Sequence, residues 1–287
     1  MSGAALALVL FGALMHAVWS LAAKAGSPAR DPIGFIWGSS LIAAIVIAPL
    51  ALWTLARSEV HWPSLLFGAS VAGATQLVYF LAVQLSYAVG DVSILYPMAR
   101  GLGPTLSMVG AILIFGERPA GVSLLGGAVI IAGVVLISVW GGRGGRLSPA
   151  VLGFGVATGA LIAMYTLWDT FVMRELGSPP FAHIWIIVLL ETAILTPVVV
   201  LRRRSALAPF RESPRPLLLA GLTTMVSYVA ILFALRMAPA SLVAPMREMS
   251  VVLVSLAGWL VFREPNPVPR VTGAIVVVAG GLLVALG

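Results

Sequence analysis

Long apolar runs separated by short polar segments repeat along the whole chain. The runs are about 20 residues long, enough for a helix to cross a hydrocarbon core of roughly 30 Å. We predict ten membrane-spanning helices, at residues 4–23, 33–56, 64–87, 92–115, 121–140, 150–173, 181–201, 214–237, 242–262 and 268–286. The segments between them combine charge with Gly, Pro or Ser, which end helices. The loops at 87–91 and 238–241 are very short, so nine spans is the alternative.

The composition supports a polytopic membrane protein. Of the 287 residues, 60% are hydrophobic and 9% charged, with a mean hydropathy of +1.08, which leaves no room for a separate soluble domain. The net charge of +7 comes mostly from short loops, where basic residues orient a membrane protein, so we expect no nucleic-acid partner. The expected partners are the lipid bilayer and a small-molecule substrate. The expected location is the inner (plasma) membrane, as a monomer or weak homodimer.

Several kinds of chemistry are excluded or disfavoured. The chain has no cysteine, so it has no disulfide or thiol site. Its three histidines show no ligand spacing with Asp or Glu, so we predict no metal site. A Walker-type loop is missing, which argues against ATP as the energy source. We therefore expect no cofactor and no catalytic residues.

An internal repeat divides the chain into two halves. A shift of 147 residues places Arg100 on Arg247, Phe115 on Phe262, Glu117 on Glu264, Gly126 on Gly273 and Gly133 on Gly280. We assign the halves to residues 1–146 and 147–287. Because each half has an odd number of spans, the second half enters the membrane from the opposite side, which gives inverted repeats. Such repeats typically hold a substrate site near the bilayer midplane at their interface.

The distribution of Lys and Arg predicts an orientation. Eleven of them fall in the loops that follow spans 1, 3, 5, 7 and 9, and four fall on the other face, at Arg57, Arg118, Arg174 and Arg236. The positive-inside rule then places both termini outside the cytoplasm.

Two arginines interrupt apolar runs. Arg100 lies in Leu95–Pro104, among Gly and Pro residues that weaken a helix, and Arg247 lies in the second copy, Ala244–Glu248. An ionised side chain inside a membrane is costly, so each arginine is a functional candidate. Helical spacing places Tyr96, Arg100, Gly103 and Ser107 on one face, beside a backbone that we expect to be opened. The alternative for Arg100 is that it snorkels to an interface.

The intramembrane acids and His16 each have two interpretations. Glu248 does not share a helix face with Arg247, so a partner for Arg247 would come from another span. Asp169, Glu191 and Glu248 are the available acids; they either neutralise the arginines, or one carries a proton while an arginine binds a substrate carboxylate. His16, beside Trp19 on the first span, either packs against it or relays protons.

The chain resembles the EamA type of the drug/metabolite transporter superfamily over nearly its whole length. The resemblance rests on the ten spans, the repeat, Trp19-x4-Lys24, YPMARGLGP at residues 96–104, and Phe-x-Glu at 115–117 and 262–264. The members of this superfamily include aromatic amino-acid exporters of the YddG kind, and we expect this chain to be close to them. The resemblance implies an all-α integral membrane protein with spans 1, 3, 4, 6, 8 and 9 around a central cavity and spans 5 and 10 at its periphery. Termini in this superfamily are often cytoplasmic, in conflict with the charge count. The second copy, APMRE, lacks the Tyr and Gly-Pro of the first, so Arg100 is the favoured substrate contact.

Aromatic residues recur on the spans expected to line this cavity, where they could hold an apolar group or simply fill the bundle. The candidate substrate-binding residues are Arg100, Tyr96, Tyr79, His16, Trp19, Trp168, Tyr165, Tyr228 and Arg247. The sequence thus predicts a secondary transporter rather than an enzyme, exporting small amphiphilic metabolites by alternating access. Amino acids, aromatic ones among them, are the first choice. The alternatives are a phosphate-ester or nucleotide-sugar antiporter, which would need several cations in one cavity, and a multidrug efflux protein.

Overall fold

The computed structural model describes residues 1–26, 31–89, 92–141, 149–260 and 267–287. The first five helices are α1 (Gly3–Gly26), α2 (Pro32–Arg57), α3 (Trp62–Val89), α4 (Val92–Phe115) and α5 (Gly121–Gly141). The second half contains α6 (Pro149–Arg174), α7 (Pro180–Leu201), α8 (Arg203–Ala206), α9 (Ala208–Glu212), α10 (Pro214–Met237), α11 (Ala240–Arg247), α12 (Met249–Leu260) and α13 (Pro267–Leu286). No strand occurs in these ranges.

The helices form the predicted ten spans, with α11 and α12 together as the ninth. Among the described residues, six single helices and the combined segment Ala240–Ala257 of α11 and α12 are long and apolar enough to cross a membrane. Three shorter apolar helices lie at Ala99–Phe115, Gly121–Ile137 and Arg270–Leu286. The basic segment after α7, predicted from the sequence as a loop, forms the short helices α8 and α9. The oxygens of Asp31 anchor this segment, because Oδ1 caps α2 through Ile33 N–H at 3.1 Å and Oδ2 accepts from Ser205 Oγ at 2.8 Å.

The inverted symmetry is visible where α5 packs against α13. A Cβ atom on Gly126 would lie 2.7 Å from the Gly280 carbonyl oxygen, and one on Gly133 would lie 3.0 Å from the Gly273 carbonyl oxygen. The residue numbers rise along one helix and fall along the other, so the helices are antiparallel. The 147-residue shift converts one of these glycine pairs into the other, as a two-fold axis between the helices requires. These glycines therefore bring the two halves together within one chain.

The ninth span is broken, but the fourth is continuous. At Glu248 the helix tightens, and the Glu248 N–H bonds to the Pro245 carbonyl at 3.0 Å, in the i→i−3 pattern of a 3₁₀ turn. The expected opening of α4 is wrong, because this helix runs unbroken from Val92 to Phe115. Its glycines serve packing instead: a Cβ on Gly103 would lie 2.7 Å from Ile162 Cγ2 of α6. The Ser107 hydroxyl bonds back to the Gly103 carbonyl at 2.8 Å.

Candidate functional site

A central cavity lies between the two halves of the bundle. Its walls come from α1, α3, α4, α6, α10 and α11, which are spans 1, 3, 4, 6, 8 and 9, as the family resemblance implies. Its volume is about 100 Å³, below the roughly 300–1,000 Å³ typical of small-molecule sites. The wall combines aromatic and aliphatic side chains with polar and charged groups from both halves of the chain.

Arg100 is paired across the two halves of the chain. Its Nη1 atom lies 3.3 Å from both carboxylate oxygens of Glu248, and its Nη2 atom lies 3.0 Å from His16 Nε2. Because a guanidinium only donates, His16 must accept through Nε2, and it is therefore neutral here. Its ring also stacks on Trp19, with centroids 5.1 Å apart. This bond argues against His16 as a proton relay in this state, and the pairing inside the bundle excludes snorkelling of Arg100.

Arg247 faces the same cavity without a carboxylate partner among the described residues. Its nearest polar contact is the Tyr165 hydroxyl, 3.5 Å from Nη1, and its guanidinium carbon lies 5.9 Å from the centroid of that ring. Tyr165 packs in turn edge to face against Tyr79, with centroids 6.0 Å apart. A cation beside an aromatic face and an open cavity is available to bind an anionic group.

A second polar cluster lies directly behind the cavity wall. Gln76 Nε2 donates to the Tyr228 oxygen at 2.5 Å, and the Tyr228 hydroxyl donates to Asp169 Oδ2. The other oxygen, Asp169 Oδ1, lies 3.3 Å from His183 Nε2. Gln76 and Tyr228 line the cavity, whereas Asp169 and His183 are buried behind them. The cluster joins α3, α6, α7 and α10, and it connects a buried acid to the cavity.

The charges of this centre sum to zero. Among the described residues, the charged groups that line the cavity or are hydrogen-bonded to its wall are Arg100, Arg247, Glu248 and Asp169. The two positive and two negative groups come from both halves, since Arg100 belongs to the first and the other three to the second. Buried ions are stable only when compensated, so each ligand charge that enters must also be balanced.

The structure brings most of the sequence candidates together. His16, Trp19, Tyr79, Arg100, Tyr165, Tyr228 and Arg247 all line the cavity. Trp168 is not part of the lining: its Nε1–H donates to the Gly68 carbonyl at 2.8 Å and its ring packs against Phe67 and Phe171. The side chain of Tyr96 lies outside the described residues.

Gln76 is not among the residues predicted from the sequence, and the partners of the acids could not be predicted from it. Gln76 is an amide within an apolar run, and that isolated polarity was the available signal. The third acid, Glu191, lies elsewhere: it accepts from Ser40 Oγ at 2.9 Å, between α2 and α7.

An ion pair between Glu117 and Arg174 joins the two halves of the chain. Glu117 Oε1 lies 2.7 Å from Arg174 Nη1, and its carboxylate accepts the Ala240 and Ser241 N–H groups at 2.8 and 2.9 Å. Arg174 also donates to the Leu235 carbonyl at 2.8 Å and to the Ala238 carbonyl. Burial opposes ionisation of Glu117, but hydrogen bonds from Ser241, Ala240 and Arg174 hold the pKa of this carboxyl below its usual value of 4.5.

These contacts give a physical role to the Phe-x-Glu motif. The Glu117 carboxylate caps the start of α11, while Arg174 at the end of α6 binds the chain between α10 and α11. The contacts fasten the loop after α4, in the first half, to three helices of the second half. We call Glu117, Arg174 and the backbone of residues 235–241 the Glu117 latch. The matching residue of the second copy, Glu264, lies outside the described residues.

Comparison with known proteins agrees with this architecture. The model of the EamA-like transporter family matches twice, over residues 3–139 and 150–286. The chain belongs to the EamA-like transporter family. A solved crystal structure superposes with a TM-score of 0.77 over 100% of this chain and 98% of its own, at 17% identity, which supports the fold alone. The search of curated proteins found no match.

Membership in the EamA-like transporter family fixes the general activity. The protein is a multi-pass membrane transporter of small molecules. The two matches cover the two five-span halves, and the cavity lies where EamA-like helices of both halves meet.

Proposed function

We propose that this protein is a secondary transporter of the inner (plasma) membrane that exports neutral amino acids, aromatic ones among them. The halves 1–146 and 147–287 act as the rigid units, and one rocks against the other so that the cavity opens to each side in turn. The Glu117 latch ties the halves together on one face, and its release is part of that motion.

The zero net charge of the cavity is the observation that carries the choice of substrate. A zwitterionic amino acid adds one positive and one negative charge, so it preserves the balance of Arg100, Arg247, Glu248 and Asp169. Its carboxylate has a free cation in Arg247, and its ammonium group has an acceptor in Glu248 on the same span. A dianionic phosphate ester would instead leave two uncompensated charges in a low-dielectric site.

The aromatic residues define where an apolar side chain would lie. Tyr79, Phe80 and Tyr165 form a continuous set of rings on the cavity wall, with centroids 5.5 and 6.0 Å apart. The stacked pair of His16 and Trp19 provides a further planar surface. Ring-on-ring contacts of this kind add about 0.5–1.5 kcal/mol beyond area burial, which favours aromatic amino acids over small polar ones.

A phosphate-ester or nucleotide-sugar antiporter is the second candidate. Arg100 and Arg247 do reach the same cavity, which is the feature that such an antiporter needs. The ion pair of Arg100 with Glu248 weighs against it, because only one arginine is left to meet the phosphate.

Counterflow in proteoliposomes tests the proposal. Vesicles loaded with unlabelled phenylalanine are expected to accumulate labelled phenylalanine, with competition by neutral aromatic amino acids and none by phosphate esters. Arg247→Gln is expected to raise the apparent Km at least tenfold, whereas Arg236→Gln, at an exposed arginine, serves as the matched control. Counterflow that only phosphate esters inhibit would select the antiporter, and an unchanged Km in Arg247→Gln would refute the carboxylate site.

A further inference from the structure

Five exposed arginines are clustered in the chain that joins α7 to α10. We call residues 202–215 the arginine segment, after Arg202, Arg203, Arg204, Arg211 and Arg215. Glu212 is the one acid within it, so the segment carries a charge of five minus one, or +4, which is more than half of the +7 of the whole chain. None of the five arginines forms an ion pair with an acid among the described residues. The segment is therefore a concentrated positive surface.

The arginine segment is folded against the first half of the chain. Its Ser205 hydroxyl donates to Asp31 Oδ2 at 2.8 Å, just before the start of α2. Ala206 is 1% exposed, and the Phe210 ring packs edge to face against Trp37 of α2, with centroids 6.0 Å apart. These contacts fix the backbone of α8 and α9 on α2, while the arginines stay on the exposed side.

The arginine segment also lies at the boundary of the membrane. It connects the end of α7 at Leu201 with the start of α10 at Pro214, and both helices are long and apolar enough to cross a bilayer. Leu201 is 86% exposed, and Leu218 and Leu219, one turn into α10, are 48% and 47% exposed. Apolar side chains that face lipid thus flank the basic surface on both sides. The arginines therefore lie at the depth of the lipid headgroups.

The chemistry of the surface selects one kind of lipid. A guanidinium group binds phosphate through paired N–H donors, and every phospholipid headgroup contains a phosphate. In phosphatidylcholine a choline cation next to the phosphate opposes the arginines, whereas phosphatidylglycerol keeps a net negative charge. A basic residue near a membrane surface favours anionic lipid by about fivefold, and clustering adds these contributions together.

We propose that the arginine segment is a binding site for the headgroups of anionic phospholipids. The segment joins α7 and α10 of the second half to α2 of the first, so a bound lipid would also stabilise the contact between the halves. It does so on the face opposite to the Glu117 latch, because three spans separate the loop after α4 from the loop after α7. This inference concerns the lipid and not the transported substrate, so it does not depend on amino-acid transport.

Lipid titration of the purified full-length protein tests the proposal. Phosphatidylglycerol with a fluorescent acyl chain is added in micelles of an uncharged detergent, and binding is followed by energy transfer from the tryptophans of the protein. At about 0.1 M salt the wild-type protein is expected to bind it at least about tenfold more tightly than the matching phosphatidylcholine. This preference is expected to be largely lost at about 1 M salt, where the Debye length falls to about 3 Å.

Two triple variants separate the clustered charge from the net charge. Replacement of Arg202, Arg203 and Arg204 by Gln is expected to raise Kd for phosphatidylglycerol about tenfold or more and to leave Kd for phosphatidylcholine unchanged. The matched control replaces three exposed arginines of the opposite face by Gln, which gives the same net charge and is expected to keep the wild-type preference. These are Arg57, Arg118 and Arg236.

Three results would overturn the lipid site. One is a wild-type protein without a preference for phosphatidylglycerol, and another is equal weakening of its binding in both triple variants. The third is displacement of the lipid by inorganic phosphate but not by chloride at equal ionic strength, which would assign the arginines to a soluble anion. The wild-type measurements with salt and phosphate decide the question even if a variant fails to fold. Since none of these measurements involves transport, their failure is distinct from failure of the counterflow experiment.

Discussion

The Glu117 latch predicts a conformational effect for a substitution that lies outside the cavity. In Glu117→Gln, the side-chain amide keeps one acceptor oxygen but turns an NH2 group toward a donor, either the Ser241 N–H or Arg174. The variant therefore loses the ion pair and at least one charge-assisted hydrogen bond. Such bonds contribute about 1.5–3 kcal/mol each, and Arg174 is one-quarter exposed, so solvent screening reduces its share. We expect the latched state to lose about 2 kcal/mol, or roughly 30-fold in its equilibrium constant.

Thiol labelling can report this shift without background, because the natural chain has no cysteine. Thr166→Cys places a single thiol on the cavity wall, and a charged maleimide reaches it only when the cavity is open to the side where the reagent is added. In proteoliposomes, Glu117→Gln is expected to speed labelling from the face that carries Glu117 by about 10-fold or more. Glu175→Gln removes an exposed acid next to Arg174 and is the matched control.

The acid dependence of labelling gives the same test a second readout. The pKa of Glu117 in the latch lies below its usual value of 4.5, so ionisation favours the latched state. This contribution is present above about pH 4.5 and is lost as pH falls through the lowered pKa. Low pH slows the thiol reaction in both proteins alike, so the ratio of the wild-type labelling rate to that of Glu117→Gln is expected to rise below pH 4.5. Equal labelling rates in the two proteins at pH 7, with both folded, would refute the latch.

Two further predictions concern the assembly of the two halves. Gly280→Ala is expected to lower the free energy of unfolding in detergent by about 1–3 kcal/mol, since its Cβ would lie 2.7 Å from the Gly126 carbonyl oxygen, whereas Gly153→Ala has open space and is expected to be neutral. Arg100→Gln is expected to cost about 3–5 kcal/mol because it leaves Glu248 buried and unpaired, and adding Glu248→Gln is expected to restore most of the thermal stability.

The outcomes that contradict these two predictions are distinct. A Gly280→Ala protein that melts like Gly153→Ala would show that α5 and α13 are free to separate. If the double variant Arg100→Gln/Glu248→Gln melts no higher than Arg100→Gln alone, the stability that Arg100 provides comes from contacts other than the ion pair.

The span pattern and the inverted repeat were predictable from the sequence because both depend on local properties. The lengths of the apolar runs determine which segments can cross a membrane. The repeat is recognised from the constant shift of 147 residues between matching glycines, such as Gly126 and Gly273 or Gly133 and Gly280, and this shift can be read without the structure. The fold confirms these predictions, with small differences at helix ends. It also confirms that the six expected spans line the cavity.

The pairing of charges was not predictable, because it depends on which helix faces meet. The acid beside Arg247 in sequence, Glu248, binds Arg100 from the other half instead, and Arg247 is left facing the cavity. The predicted opening of α4 is wrong because sequence cannot separate a glycine that bends a helix from one that lets a neighbouring helix approach. Trp168 was placed with the other deep aromatics, but its indole N–H binds a backbone carbonyl of α3 instead.

The inverted symmetry extends the latch argument to the opposite face. The 147-residue shift that relates Glu117 to Glu264 also relates the start of α11, at Ala240 and Ser241, to the start of α4, at residues 93 and 94. If the two halves exchange conformations during transport, Glu264 has in the oppositely oriented state the task that Glu117 has in this one.

Glu264→Gln is then expected to destabilise that other state and to slow labelling of Thr166→Cys from the Glu117 face, opposite to the effect of Glu117→Gln. The double variant is expected to return toward the wild-type rate. Faster labelling in Glu264→Gln would mean that the two Phe-x-Glu motifs do not have symmetric roles.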